Sequence, residues 1–270
     1  MKFFCIPGGG TPASVFFRWK AMLKKHAEII ILDYPGRDIL KTENAFHSAK
    51  QIAEFLFTQM QDQLSGSYGL LSSCTGCMIA YELYQSAKRS KMPLPEIFLA
   101  FSAFAPDSFY YAEKPYLCKE NQSHIKSIYQ SLFNSELFSL PEQCAQTCSD
   151  FLICHSASDQ EIHFPEMQIL PEAETYEKKS MLDFANRTIS MILYDWRIAA
   201  DYANQHDPFS PMHTKIYAIR GQSDKIVSEQ DTLKWKNFTD DYFDYKTLDG
   251  GHNLITSNAD SCIALLKSLI

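Results

Sequence analysis

Short runs of consecutive apolar residues, bounded by turn formers, alternate along this chain with segments whose apolar positions recur at helical spacing. The runs predict strands: "KFFCI" at Lys2–Ile6, "EIIILD" at 28–33, "YGLLS" at 68–72, "EIFLAFSAF" at 96–104 and "KIYAIRG" at Lys215–Gly221. "YFDYKTLDGGH" at 242–252 reads as a strand passing into a loop. The periodic segments predict helices over 17–26, 48–64, Gly76–Arg89 and 259–270. Strands that are apolar almost throughout need cover on both faces, so the alternation implies an α/β fold with a mostly parallel sheet flanked by helices. In such sheets ligand chemistry gathers at the C-terminal ends of the strands.

From about residue 106 the alternation breaks down. Weaker helical pieces follow at 124–138, 141–153 and 176–192, amid much Ser, Glu and Gln. The expected organisation is a core built from 1–105 and 190–270, with 106–189 inserted as a helical lid. No internal repeat or low-complexity tract interrupts it.

Composition narrows the class. With 46% apolar residues in 270, the chain can fill a sizeable core. A net charge of -7 without a basic stripe argues against nucleic acid as a partner. No apolar stretch approaches the roughly 18 residues needed to cross a membrane, and the N-terminus lacks a signal-peptide core. The expectation is a cytoplasmic protein whose eight cysteines are reduced. Cys144, Cys148, Cys154 and His155 match no standard zinc spacing, and no metal or cofactor is expected.

The candidate chemistry begins at "GLLSSCTGC", residues 69–77. A strand stops in a small-residue turn and a helix follows, the layout of a nucleophile elbow with Cys74 at the position usually held by Ser. A redox reading of Cys74 with Cys77 is weaker, because Cys77 should turn into the core from the first turn of the helix. An elbow requires a His on a late loop and an acid to orient it. "LDGGHNL" supplies His252 and "IRGQSDKIV" supplies Asp224, 28 residues earlier, a gap with room for one helix and one strand. The order Cys74, Asp224, His252 is the Ser, Asp, His order of α/β-hydrolases. Two oxyanion donors are also needed. Thr75 follows the nucleophile at a helix start. "IPGGGT" follows the first strand and offers Gly9, with Gly8 and Gly10 as alternatives. Each feature alone has a plainer reading: an inert core thiol, a flexible glycine turn, a turn-forming Asp, a surface His.

Together these motifs resemble those of type II thioesterases. "FFCIPGGGTPASVFFRW" is similar to their F-C-F-P-Y-A-G-G-x-x-x-x-F-x-x-W, matching at Phe4, Cys5, Pro7, Gly10, Phe16 and Trp19. "LDYPGRD" is similar to their L-P-G-R-E segment, with Tyr34 in place of Leu. "GLLSSCTGCMIAYEL" lies over G-H-S-M-G-A-x-x-A-x-E-L, and "DWRIAADY", "GQSDKIVSEQDTLKW" and "LDGGHNLI" fit later motifs. The departures are Cys74 for Ser, Ser73 for His, Ser72 for Gly, and Gly8-Gly9 for Tyr-Ala, the last expected to loosen the loop. Dienelactone hydrolases also carry a G-x-C-x-G elbow, but their other segments do not resemble this chain.

The resemblance implies an α/β-hydrolase fold and, as substrate, an acyl or aminoacyl thioester on the phosphopantetheine arm of a carrier protein in nonribosomal peptide or polyketide synthesis. It makes Cys74 the nucleophile, His252 the general base, Asp224 its orienting acid, and Gly9 and Thr75 the oxyanion donors. It also implies a monomer. Hydrolysis of the acyl group and its transfer to a second carrier or other acceptor both remain open. A binding protein on a hydrolase scaffold is the reading from another class.

Overall fold

A computed structural model describes residues 1–35, 46, 48–108, 191, 194–195, 198–199, 201–202 and 208–270. Of the expected lid, only 106–108 fall among the described residues; its helical pieces, apart from Met191, and the Cys144–His155 group lie outside them.

Six strands form one sheet: β1 (Lys2–Ile6), β2 (Glu28–Ile31), β3 (Tyr68–Ser73), β4 (Ile97–Phe101), β5 (Lys215–Gly221) and β6 (Phe243–Leu248). Their order is β2-β1-β3-β4-β5-β6 and every pairing is parallel. Alternation within each strand divides the core in two. Phe4, Ile6, Tyr68, Leu70, Phe98, Ala100, Ile216 and Ala218 face one way, packing with α2 (Ala49–Met60) and α3 (Gly76–Arg89). Phe3, Cys5, Leu71, Ile97, Leu99, Phe101 and Ile219 face the other, packing with α1 (Phe16–Leu23) and a C-terminal helix at Ala259–Leu269. Strands covered on both faces need no polar side, which is why they read as continuous apolar runs.

Local chemistry sets the element ends. The Ser48 hydroxyl accepts from the Gln51 amide at 3.2 Å and caps α2. The fourth strand stops at Phe101, short of the expected 104, because Ser102 takes a left-handed φ of 45° and leaves the pleat. Between Asp224 and His252 lie α4 (Glu229–Leu233), a 3-10 helix at Lys234–Phe238 and β6, one more element than the expected helix and strand. Ser228 and Asp231 form a reciprocal capping box at the start of α4. The last two helices are α5 (Leu254–Ser257) and α6 (Ala259–Leu269). The fully buried Trp19 donates its indole N–H to the Ile255 carbonyl at 3.2 Å, tying α1 to the segment after His252.

The strand order reverses between β1 and β3. A sheet of this kind opens a crevice at that switch point, beyond the C-terminal strand ends. The loop after β1 and the turn after β3 therefore meet there. No helix among the described residues is long and apolar enough to cross a membrane.

Candidate active site

The turn between β3 and α3 is held in a strained form. Cys74 has a φ of 48°, a left-handed value that costs a non-glycine residue roughly 1–2 kcal/mol. The surroundings overdetermine it. Its N–H donates to the Phe101 carbonyl at 3.0 Å, and its carbonyl accepts from the Cys77 amide at 3.1 Å as α3 begins. Ser72 donates its hydroxyl to the Ile6 carbonyl at 2.8 Å. Gly76 is packed so tightly that a Cβ would run into the Pro7 carbonyl and lie 2.5 Å from the Ser72 hydroxyl. The room a tight elbow needs thus comes from Gly76, and Ser72 is accommodated.

The loop after β1 interlocks with this turn. A Cβ on Gly8 would lie 2.7 Å from the Ser73 carbonyl oxygen, and one on Gly9 would lie 2.8 Å from the Thr75 hydroxyl. These glycines permit close approach of two backbones, a packing requirement that the expected loosening of the loop did not include. The result sets the Gly9 and Thr75 amides where both favour the Cys74 thiolate.

Asp224 and His252 arrive from the ends of β5 and β6. Gly221 admits no side chain, since a Cβ there would strike the Gly251 carbonyl and come within 2.6 Å of the Gly250 carbonyl. The two loops are stitched by the Ser223 amide donating to the Gly250 carbonyl at 2.9 Å. His252 Nδ1 lies 3.2 and 3.1 Å from the two Asp224 carboxylate oxygens. Asp224 Oδ1 also accepts from the Ile226 and Val227 amides at 2.9 and 3.0 Å. Arg220 secures the loop from outside, donating to the carbonyls of Asp224 and Val227, each at 2.7 Å. The far side of the imidazole faces Cys74 closely enough for each charge to act on the other.

Electrostatics follow from this chain of contacts. Burial pushes the Cys74 thiol up, but the His252 charge, its hydrogen bond and the Thr75 and Gly9 amides outweigh it, and the thiol ends lowered. Burial pushes His252 down, yet the Cys74 charge and the Asp224 carboxylate carry it well above an ordinary histidine. Burial also opposes ionisation of Asp224, and the imidazole and the two amides hold it below its usual range. Both shifts favour a thiolate facing an imidazolium. Among the described cysteines, Cys5, Cys77 and Cys262 are buried and burial raises all three, Cys262 to about 12. Cys74 alone of these four is partly exposed and lowered. Cys77 is fully buried in the core, turned inward as its place on the helix implied.

All five residues singled out from the sequence (Cys74, Asp224, His252, Gly9 and Thr75) thus converge at one crevice. Two others went unassigned. Arg220 bonds only backbone carbonyls in the contacts above, a pattern without sequence signal. Asp195 is 2% exposed and accepts from the Gly10 amide at 2.7 Å; its one sequence signal is an acid among the apolar positions of "YDWRIA". Among the described residues no group of His, Cys, Asp and Glu is placed to hold a metal ion.

The chain has relatives among known proteins. The family model described as "Thioesterase domain" matches residues 1–269. The chain is 22% identical over 269 residues to the AMB antimetabolite synthetase AmbE of Pseudomonas aeruginosa, covering 99% of this chain and 10% of that protein. It therefore spans about a tenth of that relative's length. Its structure superposes on RedJ, a thioesterase from the prodiginine biosynthetic pathway of Streptomyces coelicolor, with a TM-score of 0.72 at 17% identity, covering 100% of this chain and 86% of that one. YbtT, a type II thioesterase from the yersiniabactin pathway, gives 0.64 at 16% identity, covering 98% and 90%. The sheet and its flanking helices are the α/β-hydrolase fold that these structures share.

Proposed function

The chain belongs to the thioesterase domain family, and from that premise we propose that it cleaves acyl or aminoacyl thioesters carried on the phosphopantetheine arm of a carrier protein in nonribosomal peptide or polyketide synthesis, through a covalent acyl-Cys74 intermediate. The observation that carries this reading is the lowered, partly exposed thiol of Cys74, set between His252 and two convergent backbone N–H groups.

The steps follow from the ion pair. The Cys74 thiolate attacks the thioester carbonyl, and the carbonyl electrons move onto oxygen. The Gly9 and Thr75 N–H groups stabilise that oxyanion where charge develops. As it collapses, the bond to the pantetheine sulfur breaks and the His252 imidazolium gives that sulfur its proton. The products are free pantetheine thiol and acyl-Cys74, with neutral His252. Water then attacks the acyl-Cys74 carbonyl while His252 takes its proton. The acid leaves, and the thiolate and imidazolium are restored. Asp224 holds the ring orientation through both halves.

A second acceptor in place of water would give acyl transfer. The thiol favours this alternative, because exchange of one thioester for another is nearly neutral in free energy and keeps the acyl group activated. A holo-carrier loaded with an aminoacyl or short acyl group, incubated with the protein with and without a second empty holo-carrier, separates the routes. Hydrolysis yields free acid with either mixture. Acyl mass appearing on the second carrier in place of free acid would establish transfer. No loss of acyl group in any mixture, with Cys74 unreactive towards alkylation, would return the chain to a binding role on a hydrolase scaffold.

A further inference from the structure

The loop carrying Gly9 is rich in glycine. Three successive glycines give it no side chain to anchor, and Gly10 sits at a φ of 65°. Within it the Thr11 amide closes a turn on the Gly8 carbonyl at 3.1 Å, and the Thr11 hydroxyl makes a long contact to the Gly9 carbonyl at 3.4 Å. A glycine run pays the largest entropy cost on being fixed, and an oxyanion donor is useful only when already aimed.

The missing anchor comes from far along the chain. Asp195, helical like Tyr194 before it, is almost wholly buried and places Oδ2 2.7 Å from the Gly10 amide. Its other oxygen accepts from the Tyr34 hydroxyl at 3.1 Å, and Tyr34 is itself fully buried after β2. A Cβ on Gly9 would sit 3.5 Å from the Asp195 Cβ, so Asp195 also packs beside Gly9, whose own amide favours the Cys74 thiolate.

We infer that Asp195 is a positioning residue: held by Tyr34, its carboxylate fixes the Gly10 amide and thereby aims the neighbouring Gly9 N–H at the oxyanion. The inference rests on the assignment of Gly9 as oxyanion donor made above. It makes Asp195 part of the apparatus that aims the oxyanion hole, joined to a loop 185 residues earlier.

Two reactions of Cys74 test it. Acylation by S-phenyl thioacetate builds an oxyanion, whereas alkylation by iodoacetamide needs the thiolate alone. Asp195→Ala is expected to lower the acylation rate constant about tenfold, a fraction of what loss of a whole oxyanion donor costs, with KM and the alkylation rate within about twofold of wild type. Asp195→Asn keeps an acceptor for the Gly10 amide and should recover most of the loss. Tyr34→Phe should show a smaller fall, about two- to threefold, in acylation alone. A folded Asp195→Ala that acylates normally, or one in which both reactions fall together without recovery in Asp195→Asn, would overturn the role. Should Asp195→Ala not fold, unchanged acylation in both Asp195→Asn and Tyr34→Phe would overturn it. A wild-type protein that is alkylated at Cys74 yet never acylated would instead overturn the thioester reading, and this role with it.

Discussion

Replacement of Cys74 by Ala is expected to abolish thioester cleavage on a loaded carrier, with turnover falling at least about a thousandfold. Its neighbours Ser73 and Thr75 are buried, and neither stands at the nucleophile position of the elbow. The variant should keep its fold: Cys74 is partly exposed, and the bonds that set the elbow run through its backbone. Removing the sulfur leaves Gly9 and Thr75 able to bind an oxyanion, so the residual rate should exceed that in water alone. Discontinuous measurement of acyl-carrier by mass, with circular dichroism to establish the fold, checks both halves of this expectation.

His252→Ala should have the second largest effect, and it separates two roles. The imidazolium lowers the thiol through its charge and a hydrogen bond; without it, burial is left opposed only by the amides. The wild-type thiolate should therefore persist as pH falls below about 8.5, the ordinary thiol range, with iodoacetamide alkylation of Cys74 still fast near pH 6–7. In His252→Ala the alkylation profile should move upward past that ordinary value, and alkylation at pH 7 should drop more than about tenfold. Turnover should drop further than alkylation, by about a thousandfold or more, because proton delivery to the pantetheine sulfur and proton removal from water are lost as well. Alkylation unchanged at pH 7 in this variant would contradict the ion pair.

Much of this was legible in the chain, and the parts that were not have identifiable causes. The five runs read as strands up to Gly221 all occur as strands because burial on both faces leaves a continuous apolar signature, as in β1 with its Phe3/Cys5 and Phe4/Ile6 alternation across the two cores. Their ends were less secure. Ser102 looks like any strand residue, and only its left-handed backbone, bonded through its amide to the Ile219 carbonyl at 2.7 Å, ends β4 early. The crevice residues were legible because elbow, acid and histidine each sit at a strand end in a fixed order. The Gly8-Gly9 pair was legible as chemistry but not as mechanics: flexibility is a property of the free peptide, whereas the exclusion of a Cβ depends on Ser73 and Thr75 across the crevice. Asp195 shows no task within "DWRIAADY", since its bonds to Gly10 and Tyr34 reach 185 and 161 residues back along the chain. Contacts of that range leave no trace in local pattern.

The most direct measurement is the mass of the protein itself during turnover. The protein is mixed with an acyl-loaded holo-carrier, quenched in acid within the first turnover, and analysed intact and after proteolysis. The expected result is an added acyl mass on the peptide containing Cys74, absent in Cys74→Ala and discharged with time by water or by a second carrier. Loss of the acyl group from the carrier with no adduct on Cys74, and at the same rate in Cys74→Ala, would contradict covalent catalysis by this thiol.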